Sequence, residues 1–377
     1  MKVLGRGLLL RLPIIDTDPN RGITVGFMPI WVLEDPAHRV RHIHAPSVDY
    51  NHTYGATATY RYFFYPKEDA ALNLRGSISE VVGRELLLKY DDRTLKGGRW
   101  AAGVKAQYNK DGSYRYYGTG PDTQEGAQTN YTWDVLGYRA YAGYPVLGRL
   151  YLNAGQRLQG IRIVDGPISS VASLSSRFPE QEARHRHQDL AHRLFLTYDT
   201  RDNADTTTRG VYLEAGAETA QRRLAAEHTY QQYSLDARGF IKTPIERRLV
   251  TALRLDFEQQ TGPPAPFWLG PSLGGKYSLR AYGEGRFTDR GLLLTSLEQR
   301  VLVYRTKVAK VWTELEAAPF VEAGTVFSSP ERMAWRYLRP AYGAAFRVVA
   351  RPQIVGSVDF GYGQEGLSSF VDINYSF

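Results

Sequence analysis

Apolar and polar residues alternate along much of this chain with a period of two. The cleanest case is 248–259, where Leu249, Thr251, Leu253, Leu255 and Phe257 share one face while Arg254, Asp256 and Glu258 share the other. Successive side chains of a strand point to opposite sides, so the pattern predicts strands with one apolar face. Such segments span 22–33, 54–65, 71–80, 84–93, 98–109, 130–143, 147–160 and 191–200, then 210–219, 228–241, 248–259, 290–304, 312–324, 338–349, 353–362 and 368–377. Connections at 34–53, 110–129, 161–190 and 260–289 are long, whereas those at 66–70, 94–97, 144–146, 201–209, 242–247, 305–311 and 350–352 are short. Charges recur on the face opposite the apolar one, as with Asp236 and Arg238 or Glu314, Glu316 and Glu322. A soluble sandwich would not line its core this way. The expected fold is all-β: a transmembrane antiparallel β-barrel of about 16 strands, with lipid outside and a charged lumen. The loop asymmetry puts both termini in the periplasm. Residues 1–21 read as a short periplasmic lead-in segment and 22–377 as the barrel, with the loop at 260–289 folded into the lumen.

Composition narrows the classes. Aromatics are 12% of the chain, with 26 Tyr, a profile suited to the interface girdles of a barrel. Mean hydropathy is −0.39 and no run of about 18 apolar residues exists, so no transmembrane helix is expected. With no cysteine, disulfide scaffolds and thiolate metal sites are excluded. The net charge of +8 is spread over loops without a basic helix. Nucleic acid is therefore not an expected partner. Outer-membrane lipids and lipopolysaccharide are. The start, MKVLGRGLLLRLP, imitates a signal peptide poorly, because Arg6 and Arg11 interrupt its apolar core.

The stretch Gly274–Arg290 is too long and glycine-rich for a tight turn, and at its centre stands Arg280. Glu298 and Glu322 follow in alternating context. A buried arginine needs such partners, since an unpaired charge out of water costs several kcal/mol. Leu279-Arg280-Ala281-Tyr282 resembles the V/L-R-G-F/Y signature in the sixth extracellular loop of the outer-membrane protein assembly factor superfamily, the bacterial surface antigen barrels. Ala281 stands where that family has glycine. Three more stretches fit in family order: Tyr116-Tyr117-Gly118-Thr119-Gly120-Pro121, Asp199-Thr200-Arg201-Asp202-Asn203 and Phe320-Val321-Glu322-Ala323-Gly324.

The resemblance implies that Arg280 contacts Glu298 and Glu322 in the lumen. It also implies a role in outer-membrane biogenesis, inserting or translocating protein or lipid through a weak seam between first and last strands, here 22–33 and 368–377. Family members carry periplasmic polypeptide-transport-associated domains ahead of the barrel. The segment 1–21 is too short for one, so the expectation is a form lacking them, with a separate periplasmic partner supplying them. The chain ends FVDINYSF, which would turn Val371, Ile373, Tyr375 and Phe377 to lipid and Asp372, Asn374 and Ser376 inward. A terminal aromatic on such a strand resembles the signal read by the bacterial barrel-assembly machinery, an expected partner during insertion of this chain. The alternative is a passive pore or structural surface barrel without insertase activity.

Motifs with catalytic overtones lack their context. Gly270-Pro271-Ser272-Leu273-Gly274 matches a nucleophile elbow, but no helix follows and the last histidine, His228, lies upstream. A lipid hydrolase using Ser272 ranks last. Gly361-Tyr362-Gly363-Gln364-Glu365-Gly366 has no βαβ unit around it and reads as a strand end and tight turn. His38, His42 and His44 read as first-loop residues, and His185, His187 and His192 as lying near the end of the loop at 161–190; a metal site needs three or four converging ligands held by further hydrogen bonds, which loop histidines rarely supply. Replacing Arg286, in the same stretch as Arg280, is expected to do little. No catalytic residue, cofactor or metal is expected, and the chain is not expected to be an enzyme.

Overall fold

The computed structural model describes residues 2–4, 7–37, 39–243, 249–308, 311–350, 354–373 and 375–377. Eighteen antiparallel strands close into one barrel. They are β1 (Gly7–Asp18), β2 (Gly22–Glu34), β3 (Val40–Asn51), β4 (Gly55–Lys67), β5 (Ala70–Ser79), β6 (Arg84–Thr94), β7 (Trp100–Tyr116), β8 (Thr129–Leu147) and β9 (Leu150–Asp165). The second half is β10 (Ala183–Asp199), β11 (Gly210–Ala220), β12 (Tyr230–Thr243), β13 (Leu249–Thr261), β14 (Gly291–Val308), β15 (Val311–Phe327), β16 (Arg339–Ala350), β17 (Ile354–Gly363) and β18 (Gly366–Asp372). Long loops such as 117–128, 166–182 and 262–290 gather at one end, and short turns such as 68–69 and 148–149 at the other.

Alternation puts apolar side chains outside and charges inside. On β13, Leu253 and Leu255 are exposed on the outer face, while Arg254 turns inward to Asp256 at 2.7 Å and to Asp236 of β12 at 3.4 Å. Ile23, Val25, Val48, Leu136 and Leu194 continue the outer apolar surface. In a bilayer the apolar face meets lipid while the charged face lines the lumen.

The barrel has 18 strands rather than about 16, because β1 and β3 escape the sequence pattern. Each carries a proline, Pro13 or Pro46, which argues against a strand. β1 also lacks alternation, since its inward residues are apolar. Leu10, Leu12 and Ile14 pack in the lumen against Met28, Ile30 and Ile43. Thus Gly7–Asp18, read from sequence as part of a lead-in segment, is the first strand, and the stretch read as a loop at 34–53 holds β3. His42 and His44 consequently sit on a strand, beside the rings of Tyr62 and Tyr60, and His185, His187 and His192 lie on β10; His38 lies outside the described residues.

Closure is uneven. All of β1 pairs with β2, from Gly7 opposite Leu33 to Asp18 opposite Gly22. Its other edge meets β18 at one pair among the described residues, Thr17 opposite Ser369, where the two hydroxyls lie 2.7 Å apart. The same edge is covered lower down by Lys2–Leu4, which pairs back onto Gly7–Leu9. The first strand meeting β18 is therefore 7–18, not 22–33. Beyond Asp372 the chain leaves the wall. Ile373, Tyr375 and Phe377, expected to face lipid, are buried inside instead.

Candidate functional site

The loop between β13 and β14 starts as a short strand pair, Ser272–Leu273 with Phe287–Thr288, so Ser272 is part of a hairpin and not of a strand-to-helix elbow. Gly274 and Gly275 have φ of 117° and 95°, and a Cβ on Gly274 would lie 2.0 Å from the Gly283 carbonyl. Only glycine fits there. The tip is a turn closed by the Tyr282 amide donating to the Leu279 carbonyl at 3.1 Å. Leu279 takes the left-handed conformation, φ 40°, whereas Ala281 does not, so the alanine at the family's glycine position leaves the turn intact.

This turn sets Arg280 in the lumen with no exposed surface. Its backbone amide donates to Glu322 Oε2 at 2.7 Å and its Nε to Glu322 Oε1 at 2.9 Å. Nη1 is shared among Glu298 Oε2 at 2.9 Å, Asp359 Oδ2 at 2.8 Å and Ser376 Oγ at 2.9 Å. The guanidinium lies 3.5 Å over the Phe320 ring, and Nη2 has no hydrogen-bond partner among the described residues. Burial alone would weaken proton binding; Glu322, Glu298 and Asp359 reverse this and hold the side chain charged.

Glu298 serves three arginines. Besides Arg280, it accepts from Arg300 Nε at 2.8 Å and from both Nη groups of Arg347 at 2.8 Å. Arg347 also approaches Glu316 at 3.4 Å. Arg300 donates to the Phe377 carbonyl at 3.0 Å and to the Thr207 carbonyl at 3.4 Å, and stacks 3.8 Å from the Tyr375 ring. The Tyr375 hydroxyl donates to Glu316 at 3.2 Å, and Phe377 packs with Phe240 and Ala252. One charge cluster therefore fastens both the loop and the tail 373–377. Fully buried ion networks are tolerated when each member is paired, and fail badly when one is removed.

The sequence reading names Arg280, Glu298 and Glu322, and the structure brings the three together. It misses Arg300, Arg347 and Asp359, and it turns Ser376 inward without linking it to the cluster. The signal of Arg347 is a lone inward charge in an otherwise apolar strand, AAFRVVA. It also misses the role of Gly361 and Gly363. A Cβ on Gly361 would lie 2.1 Å from the Arg280 carbonyl, and one on Gly363 would lie 2.8 Å from Ala281 Cβ. These glycines hollow the wall of β17 for the turn; they are a seat for the loop, not a phosphate cradle. Arg286, expected to matter little, is buried. It donates to Glu365 at 2.6 Å and to Thr123 at 3.0 Å, with the Tyr117 ring 4.2 Å away.

The remaining motifs meet the same assembly. In the Tyr116–Pro121 stretch, the Gly120 amide donates to the Thr288 carbonyl at the loop base, 2.9 Å away. In the Asp199–Asn203 stretch, Asp202 accepts from the Thr208 amide at 2.9 Å and Asn203 from the Thr206 amide at 2.8 Å, folding the turn that brings Thr207 to Arg300. Phe320 and Glu322 hold Arg280 directly. Among the described residues no group of three or more His, Asp or Glu is arranged to hold a metal ion.

A search of curated proteins by sequence finds no significant match. Among solved structures, the chain is similar to BamA from Haemophilus ducreyi lacking POTRA domains 1–3, with a TM-score of 0.54 and 15% identity over 97% of this chain and 74% of that one. It is also similar to CdiB from Acinetobacter baumannii, with a TM-score of 0.56 and 11% identity over 99% of this chain and 60% of that one. At these identities the likeness establishes the barrel fold. The model of the Omp85 superfamily domain matches residues 68–363, most of the barrel and all four motifs. The chain belongs to the Omp85 superfamily.

Proposed function

We propose that this barrel inserts or translocates protein or lipid at the bacterial outer membrane by using the seam between β1 and β18. The observation that carries this is the single pair, Thr17 with Ser369, that joins the two strands among the described residues. Between it and the segment paired with Lys2–Leu4, the edge of β1 from Leu10 to Asp16 is a row of backbone groups without a strand partner among the described residues. In lipid each unsatisfied group costs several kcal/mol, so the edge favours addition of another strand. The apolar inner wall beside it, with Leu10, Met28, Ile30 and Ile43, is suited to an apolar segment crossing the seam.

The tail has the register to close the same edge. Continuing antiparallel from Thr17 opposite Ser369 puts Ile373 opposite Pro13, Tyr375 opposite Arg11 and Phe377 opposite Leu9. In that extended form Val371, Ile373, Tyr375 and Phe377 face lipid, as their alternation implies. We read the tail as exchanging between a lumenal site on the charge cluster and the edge of β1, with incoming cargo taking the place of the tail. The long-loop end faces the cell exterior, and the short-turn end faces the periplasm, where a periplasmic partner delivers cargo and the barrel-assembly machinery receives this chain itself.

The test is reconstitution. Proteoliposomes bearing the barrel should speed the insertion of a urea-unfolded outer-membrane β-barrel relative to empty vesicles. Ion conductance without any gain in insertion would favour the passive pore and overturn the proposal.

A further inference from the structure

On the wall formed by β6–β11, away from the charge cluster, the lumen holds a cavity of about 650 Å³. Its lining carries a row of cations in lateral register. Lys89 of β6 stands opposite Lys105 of β7, Lys105 opposite Arg139 of β8, and Arg139 opposite Arg157 of β9. Strands lie about 4.8 Å apart, so these four charges fall within roughly three such spacings. Like charges directly opposite one another destabilise a sheet.

Most other cations of the cavity are neutralised by the wall itself. Arg157 donates through Nε to Glu218 at 3.2 Å, Arg193 donates to Glu214 at 2.9 Å, and Arg93 and Arg201 each reach Asp199 at 2.8 Å. Lys89, Lys105 and Arg139 are different. Among the described residues none has a carboxylate within salt-bridge distance or a side-chain hydrogen bond. The row below them is opened by Gly103 and Gly155, which flank Tyr141 in register and leave its ring to turn toward Asp91, 2.7 Å from the hydroxyl. Asp91, an acid lining the same cavity, is thus engaged elsewhere.

We infer that Lys89, Lys105 and Arg139 form a lumenal site for a molecule carrying clustered phosphate groups. Three cations without a direct ion pair in a concave, low-dielectric wall concentrate anions, and the volume lies in the range of small-molecule sites. An extended acidic peptide spaces carboxylates of one face about 6.8 Å apart. That is wider than the spacing of this row, whereas adjacent phosphates put several charges within one gap. The inference is independent of the insertion reading and of the seam.

The test is calorimetric titration of the detergent-solubilised barrel at physiological ionic strength, with inorganic tripolyphosphate and, separately, lipid A in mixed micelles. Saturable binding of one or both supports the site. Tripolyphosphate alone points to a soluble phosphate ester, and lipid A alone to a lipid headgroup. The triple variant Lys89→Gln, Lys105→Gln, Arg139→Gln should weaken binding at least about tenfold, the loss expected from removing even one charge-assisted contact. Relieved of repulsion, it should also unfold at a temperature no lower than the parent without ligand. A control removing three exposed loop cations, Lys96→Gln, Arg223→Gln and Arg336→Gln, should bind as the parent does. No saturable heat with either probe, equal binding by the lumenal triple variant, or tighter binding of hexaglutamate than of tripolyphosphate would each overturn the inference.

Discussion

Arg280 Nη1, at the tip of the lumenal loop, donates a 2.9 Å hydrogen bond to Ser376 Oγ in the tail. Ser376 Oγ also lies 2.8 Å from Asp359 Oδ2, an acceptor of the same Nη1. The loop and the tail, 96 positions apart, therefore share one anchor, and whatever weakens the anchor loosens both.

Replacing Arg280 with alanine leaves Glu298, Glu322 and Asp359 buried without one of their cations. Breaking such a network typically costs about 3–5 kcal/mol. Lysine should rescue little, because an ammonium cannot serve Glu322 through Nε while reaching the other acceptors. The expected result is a lower heat-modification temperature on semi-native gels for both variants, with Arg336→Ala, an exposed loop change, at the parental value.

Gly361→Ala should unseat the loop without touching any charge. Its Cβ would lie 2.1 Å from the Arg280 carbonyl, a backbone atom that cannot move aside cheaply. Gly239→Ala is the matched control, since a Cβ there meets nothing within 4 Å. Limited proteolysis should cut 262–290 faster in the first variant and at the parental rate in the second.

Arg286→Ala should also be costly, contrary to the expectation from sequence that this change does little. The change strands Glu365 and removes the cation over Tyr117, a contact of about 0.5–2 kcal/mol. Faster proteolysis of the 117–128 loop, with the Arg280 tip still protected, is the expected pattern. Equal cleavage in mutant and parent would return Arg286 to the surface class.

Tyr375→Ala should free the tail. The ring stacks on Arg300 and its hydroxyl reaches Glu316, so its loss removes two of the tail's contacts with the cluster. A thiol placed at Ser376 should react with a water-soluble maleimide about tenfold faster in this background, which corresponds to about 1.4 kcal/mol.

How much of this was legible in sequence depends on which surface the residues served. Strands with lipid outside and water inside, such as β13, alternate cleanly and are read correctly. β1 fails because Leu10, Leu12 and Ile14 pack against an apolar lumenal wall, so both of its faces are apolar and the period vanishes. Arg280 was legible because a lone arginine in a glycine-rich loop needs acids, and Glu298 and Glu322 follow it on strands of the right parity. Asp359 and Arg347 were not, since their partner lies 49 to 79 residues away and no local pattern encodes that pairing. The tail is the instructive case. Its alternation is that of a lipid-facing strand, yet Tyr375 and Phe377 lie inside, because Arg300 and Glu316 hold them there.

The seam is tested most directly by a disulfide. Extension of the Thr17–Ser369 register sets Leu10 opposite Ser376, and the sequence contains no cysteine to interfere. In the double variant Leu10→Cys, Ser376→Cys, mild oxidation in membranes should cross-link the pair, and the cross-linked barrel should lose insertion activity that returns on reduction. Each single cysteine variant should show the same activity before and after oxidation. Failure of the pair to cross-link, or full insertion activity in the cross-linked barrel, would contradict exchange of the tail at the edge of β1.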